Sequence, residues 1–540
     1  MLGRRRRRDL SFVPGSAELS AAPGAEGPLL VVCGERLEAP ERAALAARLA
    51  ADAPSIDVLV VEQLCAKPSA LLAALAGRNE SALVVAACDH AGAAGALREA
   101  VSAGLDTARA GTVSLALALA QARPVERARL LEAVCLAGAR KAGVLAGEPL
   151  AGRERLQLRG ALSRRGLLTP WRETPRRTAV LDEDRCPGAR RCGACIAACP
   201  ARALRVDGAL LRVDPLRCTS CGRCVLPCPT EALSLPGAPL GGVAIELETL
   251  LGEGVTALTL VCGHGPPPLG PGAEGALSSL GAPVALPCVA MTGPGLLLGL
   301  LDRGASVELA PCRACPSEQA LEHTAAFVER VLCALGRSDL AEQLFRPGTG
   351  RESDMGGAAP RRSLGLITGT PGPLFLREPM ATNAAVARLL DEAGGSPLAE
   401  EAILDDGAPS GVVRIDPEAC SYCGACVLAC PTLAIALNRE DRELVVDATR
   451  CLGCGRCAAA CPEKAVHVTR GVDLQALGAG PMRLRRPVCS WTCARCGTEV
   501  HDDPILTPVV QRLAAAGAST ALVASLRRCS SCGAPAPSSP

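Results

Sequence analysis

Between residues 409 and 475 the pattern CxxCxxCxxxCP occurs twice. Cys420, Cys423, Cys426 and Cys430 precede Pro431, and Cys451, Cys454, Cys457 and Cys461 precede Pro462. No other feature limits the possible folds as strongly. Three thiolates spaced two residues apart wrap one face of a cubane iron–sulfur cluster, and small residues such as Gly424 and Gly455 let the backbone approach it. The fourth thiolate, just before proline, points to the other cluster of the pair. The expected ligand sets are therefore Cys420, Cys423, Cys426 and Cys461 for one 4Fe–4S cluster, and Cys451, Cys454, Cys457 and Cys430 for the second. Structural zinc, the alternative for any CxxC, uses isolated pairs of pairs rather than such runs.

Residues 179–237 repeat the eight-cysteine pattern with one departure. Cys218, Cys221, Cys224 and Cys228 before Pro229 are regular, whereas five residues instead of two separate Cys186 from Cys192 in the run that ends at Cys195 and Cys199. By the same rule, Cys186, Cys192, Cys195 and Cys228 are expected to hold one 4Fe–4S cluster, and Cys218, Cys221, Cys224 and Cys199 the other. Leu204–Val206 and Ala209–Val213, joined at Asp207 and Gly208, read as a hairpin. Both regions resemble bacterial two-cluster ferredoxins, which implies two 2x4Fe–4S domains in one chain.

All 30 cysteines sit in a chain of 540 residues, which suggests about three or four domains. Their clustering is metal-ligand spacing, not the spread of a disulfide scaffold. The net charge of +2 gives no support to a nucleic-acid or anionic-membrane partner. The longest charge-free stretch, Gly275 to Leu301, contains Pro283, Pro287 and Pro294. It reads as a strand, a loop and a helix rather than a membrane span, because prolines leave backbone groups that lipid cannot satisfy. The basic run Arg4–Arg8 has no clean apolar core after it, so residues 1–27 read as a solvated, disordered tail and the expected location is the cytoplasm.

The chain as a whole reads as multidomain α/β plus α+β. Residues 28–145 form one small open α/β unit, with buried strands expected at Leu29–Cys33, Val58–Val61 and Leu83–Ala87 and helices at Glu41–Ala51 and Pro68–Leu75. An Arg-rich linker, 146–178, leads to the first ferredoxin-like domain at 179–237. A second α/β unit spans 238–338, with strands near Val255–Cys262, Val284–Cys288 and Val307–Ala310. Residues 339–408 form a Gly- and Pro-rich linker with one helix near Ala381–Glu392. The second ferredoxin-like domain follows at 409–475, and the tail is 476–540.

In the second α/β unit Cys262, Cys288, Cys312 and Cys315 each lie at or just beyond a strand end. Strand C-termini of an open α/β sheet converge on one edge, so these four thiols can meet and hold a 2Fe–2S cluster; separately buried core cysteines are the other reading. This unit resembles the delta subunit of methyl-viologen-reducing hydrogenase, through Leu260–Cys262, Val284–Cys288 leading to Gly295–Gly304, and Cys312–Pro316 before a helix to Gly336. It departs by carrying His264 where that family has a further cysteine, and by a shortened last pair. The first unit resembles the N-terminal domain of the flavin-carrying subunit of heterodisulfide reductase, through Leu29–Gly34, Gln63–Cys65, and Leu83–Cys88 followed by Ala96–Gly104. Cys33, Cys65 and Cys88 remain from a pattern richer in cysteine, and Cys135 reads as core. No GxGxxG turn follows any strand, so no flavin or NAD site is recognised.

The tail carries Cys493-x-x-Cys496 and Cys529-x-x-Cys532, a zinc-ribbon-like pattern with a long gap, which implies one Zn2+. The expected function is an electron-transfer subunit, itself non-catalytic, relaying single electrons through at least four 4Fe–4S clusters. The resemblances imply redox partner proteins of heterodisulfide-reductase-like, hydrogenase or formate-dehydrogenase type. The alternatives are a self-contained flavin- or nicotinamide-linked reductase and a zinc-dependent binding or regulatory module.

Overall fold

The structure is a computed structural model. It describes residues 11–13, 27–67, 69–75, 82–88, 92, 95–97, 100, 109–121, 123–147, 153–156, 172–175, 178–186, 188, 192–208, 210–235, 240–262, 281–312, 318–345, 378–392, 401–438, 443–485, 490–501 and 506–533. The chain divides into two compact units, Met1–Leu389 and Leu390–Pro540.

The first unit begins with a parallel sheet. Its strands are β1 (Ser11–Val13), β2 (Pro28–Cys33), β3 (Asp57–Val61), β4 (Ala82–Ala87) and β5 (Ala110–Ser114), in the order β1-β3-β2-β4-β5. Every residue of β4 and all but the first of β2 are buried, as an apolar run without alternation requires when both faces are covered. Helix α1 (Ala39–Asp52) starts where the Glu41 carboxylate accepts the Glu38 N–H at 2.8 Å. After α2 (Ala70–Leu75) and the short α3 (Ala116–Leu119), the long α4 (Pro124–Ala146) opens on proline, whose missing N–H costs nothing at that position. The strand β1 falls inside the segment expected to be a disordered tail: Ser11–Val13 pairs in parallel with Leu59–Val61, completing the sheet edge. The connector 146–178 likewise holds an antiparallel pair, β6 (Arg153–Leu156) with β7 (Arg172–Pro175).

Two short antiparallel pairs frame the first eight cysteines: β8 (Val180–Leu181) with β11 (Leu233–Ser234), and the hairpin β9 (Leu204–Asp207) with β10 (Leu210–Val213). Helix α5 (Ala194–Ala197) lies between. Helix α6 (Leu240–Gly252) then leads into a second parallel sheet of β12 (Ala257–Cys262), β13 (Ala282–Leu286), β14 (Ser306–Ala310) and β15 (Leu344–Phe345), in the order β13-β12-β14-β15. Helices α7 (Pro294–Asp302), α8 (Glu318–Ala334), α9 (Ser338–Ala341) and α10 (Met380–Glu392) complete this region. The two parallel sheets share one topology. In each, the first long strand is central, the second pairs on one side and the third on the other, with a fourth beyond it. The described part of the charge-free stretch, residues 281–301, holds β13, a 3-10 turn at Val289–Met291 and most of α7. No helix among the described residues is long and apolar enough to cross a membrane.

In the second unit two antiparallel sheets flank the later cysteines: β16 (Ala402–Leu404), β20 (Val466–Asp473) and β17 (Gly411–Ile415), then β18 (Ile435–Asn438), β19 (Glu443–Val446) and β21 (Met482–Arg485). Strands β16 and β21 lie outside the 409–475 limits, so the sheets reach further along the chain than the cysteine pattern does. Helices α11 (Ala425–Ala429) and α12 (Arg456–Ala460) carry the ends of the cysteine runs, and α13 (Leu474–Ala479) follows β20. Gly411 on β17 meets Gly453 so closely that a Cβ on Gly411 would stand 2.4 Å from the Gly453 Cα. The last elements are the hairpin β22 (Ser490–Thr492) and β23 (Glu499–His501), with α14 (Leu506–Ala515), α15 (Thr520–Leu526) and α16 (Ser530–Gly533).

Candidate metal centres

Each of the four cysteine runs is preceded by the same turn. Asp182, Asp214, Asp416 and Asp447 each accept, on a side-chain oxygen, the N–H two residues on, at 3.0, 3.0, 2.9 and 3.0 Å. This is an Asx turn, which the short carboxylate closes locally. The backbone carbonyl of the first three then accepts the N–H of Cys186, Cys218 and Cys420, at 3.2, 3.0 and 3.0 Å. Each run therefore begins four residues after an aspartate. The Asp-x3-Cys spacing is visible in the sequence and assigns Cys186 as the first cysteine of its irregular run.

The exits of the runs are equally alike. Arg202, Glu231, Leu433 and Lys464, each three residues after a CP cysteine, have φ of 49, 57, 55 and 55°. That left-handed residue turns the chain back on the sulfur. The N–H groups of Ala203, Ala434 and Ala465 donate to Cys199, Cys430 and Cys461 Sγ at 3.2, 3.2 and 3.3 Å. Such donors favour a charged thiolate over a thiol.

In the first ferredoxin-like domain the cysteines line two separate clefts. One is lined by Cys186, Cys192, Cys195 and Cys228 with Leu181, Leu211 and Leu233. The other is lined by Cys199, Cys218, Cys221 and Cys224 with Leu204, Val213 and Leu235. Each cleft draws three thiols from one run and one from the other. Burial pushes the Cys195 thiol up to about 12, with charge on Cys192, Cys228 and Cys186 adding to the shift. Cys224 is raised by burial and then by Cys221, Cys218, Cys195 and Cys199.

The second domain sorts its thiols in the same crossed way. Cys420 is raised first by burial, and Cys461 and Cys423 act on it. Cys451 and Cys457 are each pushed up to about 11, mainly by burial, and both feel Cys454 and Cys430. Cys426 is likewise pushed up to about 11, mainly by burial, and feels Cys420, Cys423 and, less, Cys457. Thiols held together in apolar surroundings resist becoming several adjacent anions, so they need metal cations to deprotonate and stay so. Aliphatic side chains, Val413, Ile415, Leu444 and Val466 among them, and Tyr422 pack round them. The Tyr422 hydroxyl donates to the Arg485 carbonyl at 3.0 Å, tying the first run to β21.

The first parallel sheet brings together three cysteines that the sequence spreads over 55 positions. Cys33 ends the central β2, and Cys65 and Cys88 follow the flanking β3 and β4. Their sulfurs all lie within 4.8 Å of one another. The Cys33 Sγ is 3.5 Å from both Cys65 Sγ and Cys88 Sγ, and the Cys88 N–H donates to Cys65 Sγ at 3.2 Å. Hydrogen bonds from the Cys65 and Cys88 thiols hold Cys33 far below the usual thiol range, at about 2. Three converging thiols of this kind suit a soft metal ion or three corners of a cluster. Cys135, on α4, is fully buried and pushed up to about 12 by burial alone, as a core cysteine is.

The second parallel sheet places three cysteines at the equivalent strand ends. Cys262 ends the central β12, Cys288 follows β13 and Cys312 follows β14. Cys262 is held down to about 6, first by a hydrogen bond from Cys288 and further by the Val289 and Cys312 backbone amides. Cys315 and His264 lie outside the described residues. In the tail, Cys493, Cys496, Cys529 and Cys532 have all four sulfurs within 4.8 Å of one another. Cys496 and Cys529 Sγ are 3.6 Å apart, close to the roughly 3.8 Å between thiolates on a tetrahedral zinc. The first knuckle closes through the Gly497 N–H on the Cys493 carbonyl, at 3.0 Å, and the Cys529 N–H donates to Cys493 Sγ at 3.3 Å.

The family described as 4Fe-4S dicluster domain matches the chain twice, over residues 178–229 and 412–462. No curated protein matches it. The chain thus carries two 4Fe–4S dicluster domains of ferredoxin type, with room for up to four 4Fe–4S clusters.

Proposed function

We propose that this protein is an iron–sulfur electron-transfer subunit that relays single electrons within a larger oxidoreductase complex. The four 4Fe–4S clusters would be held by Cys186, Cys192, Cys195 and Cys228; by Cys218, Cys221, Cys224 and Cys199; by Cys420, Cys423, Cys426 and Cys461; and by Cys451, Cys454, Cys457 and Cys430. The observation that carries this reading is the crossed lining of the two clefts, each with three thiols of one run and the CP cysteine of the other. That exchange is what a two-cluster ferredoxin requires. The clusters would supply one-electron redox chemistry. The chain's own contribution is to exclude water with aliphatic side chains, to hold the thiols at fixed spacing, and to aim backbone N–H groups at sulfur, which stabilises added negative charge.

In the same reading, the strand-edge cysteines Cys262, Cys288 and Cys312, with Cys315, hold a 2Fe–2S cluster, and Cys493, Cys496, Cys529 and Cys532 hold one zinc ion that folds the tail. The partners are redox proteins of heterodisulfide-reductase-like, hydrogenase or formate-dehydrogenase type, as the resemblances of the two α/β units suggest. The test is iron content and partner capture from anaerobic cells. Roughly sixteen irons per chain are expected from the ferredoxin sites, and about two more if the strand-edge site is loaded. Eight irons or fewer overturns the double-ferredoxin reading, and a chain that purifies without any redox partner overturns the complex.

A further inference from the structure

Cys33, Cys65 and Cys88 belong to no ferredoxin run and to no CxxC pair. All three thiols are free, Cys33 and Cys88 buried and Cys65 half-buried. The 3.5 Å from Cys33 Sγ to each of the other two sulfurs is well beyond the roughly 2 Å of a disulfide bond. Three sulfurs also cannot pair off, because any one disulfide leaves a thiol over.

The loops that carry these cysteines are tied to one another. Just past Cys33, the Gly34 N–H donates to the Val61 carbonyl at 2.9 Å. Arg42 of α1 donates to the Gly34 and Leu37 carbonyls at 2.7 and 3.0 Å and pairs with Glu62 Oε1 at 2.7 Å. One guanidinium thus joins the loop after Cys33 to the loop before Cys65. The approach is close enough that a Cβ on Gly34 would stand 2.8 Å from Val60 Cγ1. Gln63 then takes a left-handed φ of 54°, a conformation that costs energy in any residue but glycine. Its carbonyl accepts the Lys67 N–H at 2.8 Å, which closes the turn that sets Cys65 beside Cys33. The Cys88 N–H donates to Cys65 Sγ at 3.2 Å and links the third loop to the second.

Spacing tells one ion from a cluster. Three thiolates on one zinc ion stand roughly 3.8–4.0 Å apart, from a Zn–S bond of about 2.3 Å. All three sulfurs here lie within 4.8 Å of one another, and among the described residues the other group that converges so closely is the tail's Cys493, Cys496, Cys529 and Cys532. The ferredoxin thiols are not drawn together in that way, as befits ligands that each bind a different iron of a cubane.

We propose that Cys33, Cys65 and Cys88 form a three-thiolate site for a single thiophilic metal ion, Zn2+, at the C-terminal edge of the first parallel sheet. This inference does not depend on the ferredoxin sites being loaded. Three thiolates packed together repel one another unless a cation lies among them, and soft sulfur selects zinc, copper(I) or iron–sulfur clusters. Charge separates the first two. Three thiolates with Zn2+ leave one net negative charge in a largely buried site, whereas Cu+ leaves two, and burying charge is costly.

The experiment uses the full chain, prepared anaerobically, with zinc, copper and iron measured on the same samples. Wild type is expected to carry about two zinc ions, one here and one in the tail. Cys65→Ser should lose one zinc and keep its iron, whereas Cys135→Ala, which removes a core cysteine of the same region, should keep both. Cys496→Ser/Cys529→Ser/Cys532→Ser should retain one zinc, and X-ray absorption at the zinc edge should show about three sulfurs near 2.3 Å around it. Iron lost from Cys65→Ser makes the three cysteines corners of a cluster and overturns the proposal. Copper in place of zinc overturns the choice of ion, and a wild type with zinc in the tail alone overturns the site. The tail variant decides the matter even where Cys65→Ser does not fold, since a chain left with no zinc contradicts it.

Discussion

Lys141 Nζ on α4 lies 2.5 Å from Glu246 Oε2 on α6, with side chains only 7% and 2% exposed. The pair joins helices that belong to the two different α/β regions, and Lys141 also donates to the Thr112 carbonyl at 3.0 Å. Burial raises the Glu246 carboxyl above its ordinary range, and Lys141 pulls it back. Removing one partner leaves the other charged and dry.

Lys141→Met is therefore expected to cost about 3–5 kcal/mol, whereas Lys141→Met/Glu246→Leu should recover most of it. A carboxyl whose folded-state pKa is raised binds its proton more tightly in the fold than in the unfolded chain. Its favourable contribution is present at low pH and is lost as pH rises through the raised value. Without Lys141 that value climbs further, so the deficit of Lys141→Met should narrow as pH falls from neutral. Urea midpoints of both variants over a pH series measure this; a deficit that widens on acidification contradicts it.

Cys430 tests the crossed ligand sets. It follows Cys426 closely in the chain, yet it acts on Cys451 and Cys457. Cys430→Ser should disturb the same cluster as Cys454→Ser, giving an altered potential or a labile three-iron species. Paramagnetic resonance spectra of Cys430→Ser, Cys454→Ser and Cys423→Ser decide it. A Cys430→Ser spectrum that matches Cys423→Ser means that each run closes on itself.

Deleting residues 486–540 keeps β21 and should remove about one zinc per chain while leaving iron unchanged. A loss of four irons would instead make the tail a cluster site. The Cys529 N–H, with the amides of Cys496 and Arg495, holds Cys493 down to about 6. Zinc competes with protons for these thiolates, so the metal should stay bound at neutral pH and be released only on acidification well below that value. Zinc release followed against pH with a chromophoric chelator measures the midpoint.

Two left-handed glycines of one cysteine run separate conformational strain from steric strain. Gly453 has φ +63° and a Cβ there would stand 2.4 Å from the Ser410 carbonyl oxygen, whereas Gly455 has φ +70° with nothing within 4 Å. Gly455→Ala should cost about 1 kcal/mol, and Gly453→Ala distinctly more, because it must also push β17 away. Equal denaturation midpoints for the two variants would show that the approach of Gly411 to Gly453 is not tight in solution.

Much of this architecture is legible in the chain itself. The strand cores Leu29–Cys33 and Leu83–Ala87, the hairpin around Asp207 and Gly208, and the helix over Ala381–Glu392 follow from apolar runs, turn residues and helical spacing, and each element is found within a residue or two of those limits. Strand β1 was not legible, because a three-residue edge strand takes its identity from the partner Leu59–Val61 and not from its own pattern. The irregular Cys186 was half legible, since the aspartate four residues before it repeats at every run.

The sequence by itself determined the grouping of the sixteen ferredoxin cysteines into runs. Ligands two or three residues apart have no freedom to be anywhere but together, so local spacing carries the geometry. Only the tertiary structure decided that Cys33, Cys65 and Cys88 converge and that Met291 lies on Gly222. Those meetings depend on which strand pairs with which and on the helices packed across them. Sheet order is set by burial summed over the whole domain, which no short stretch of chain encodes.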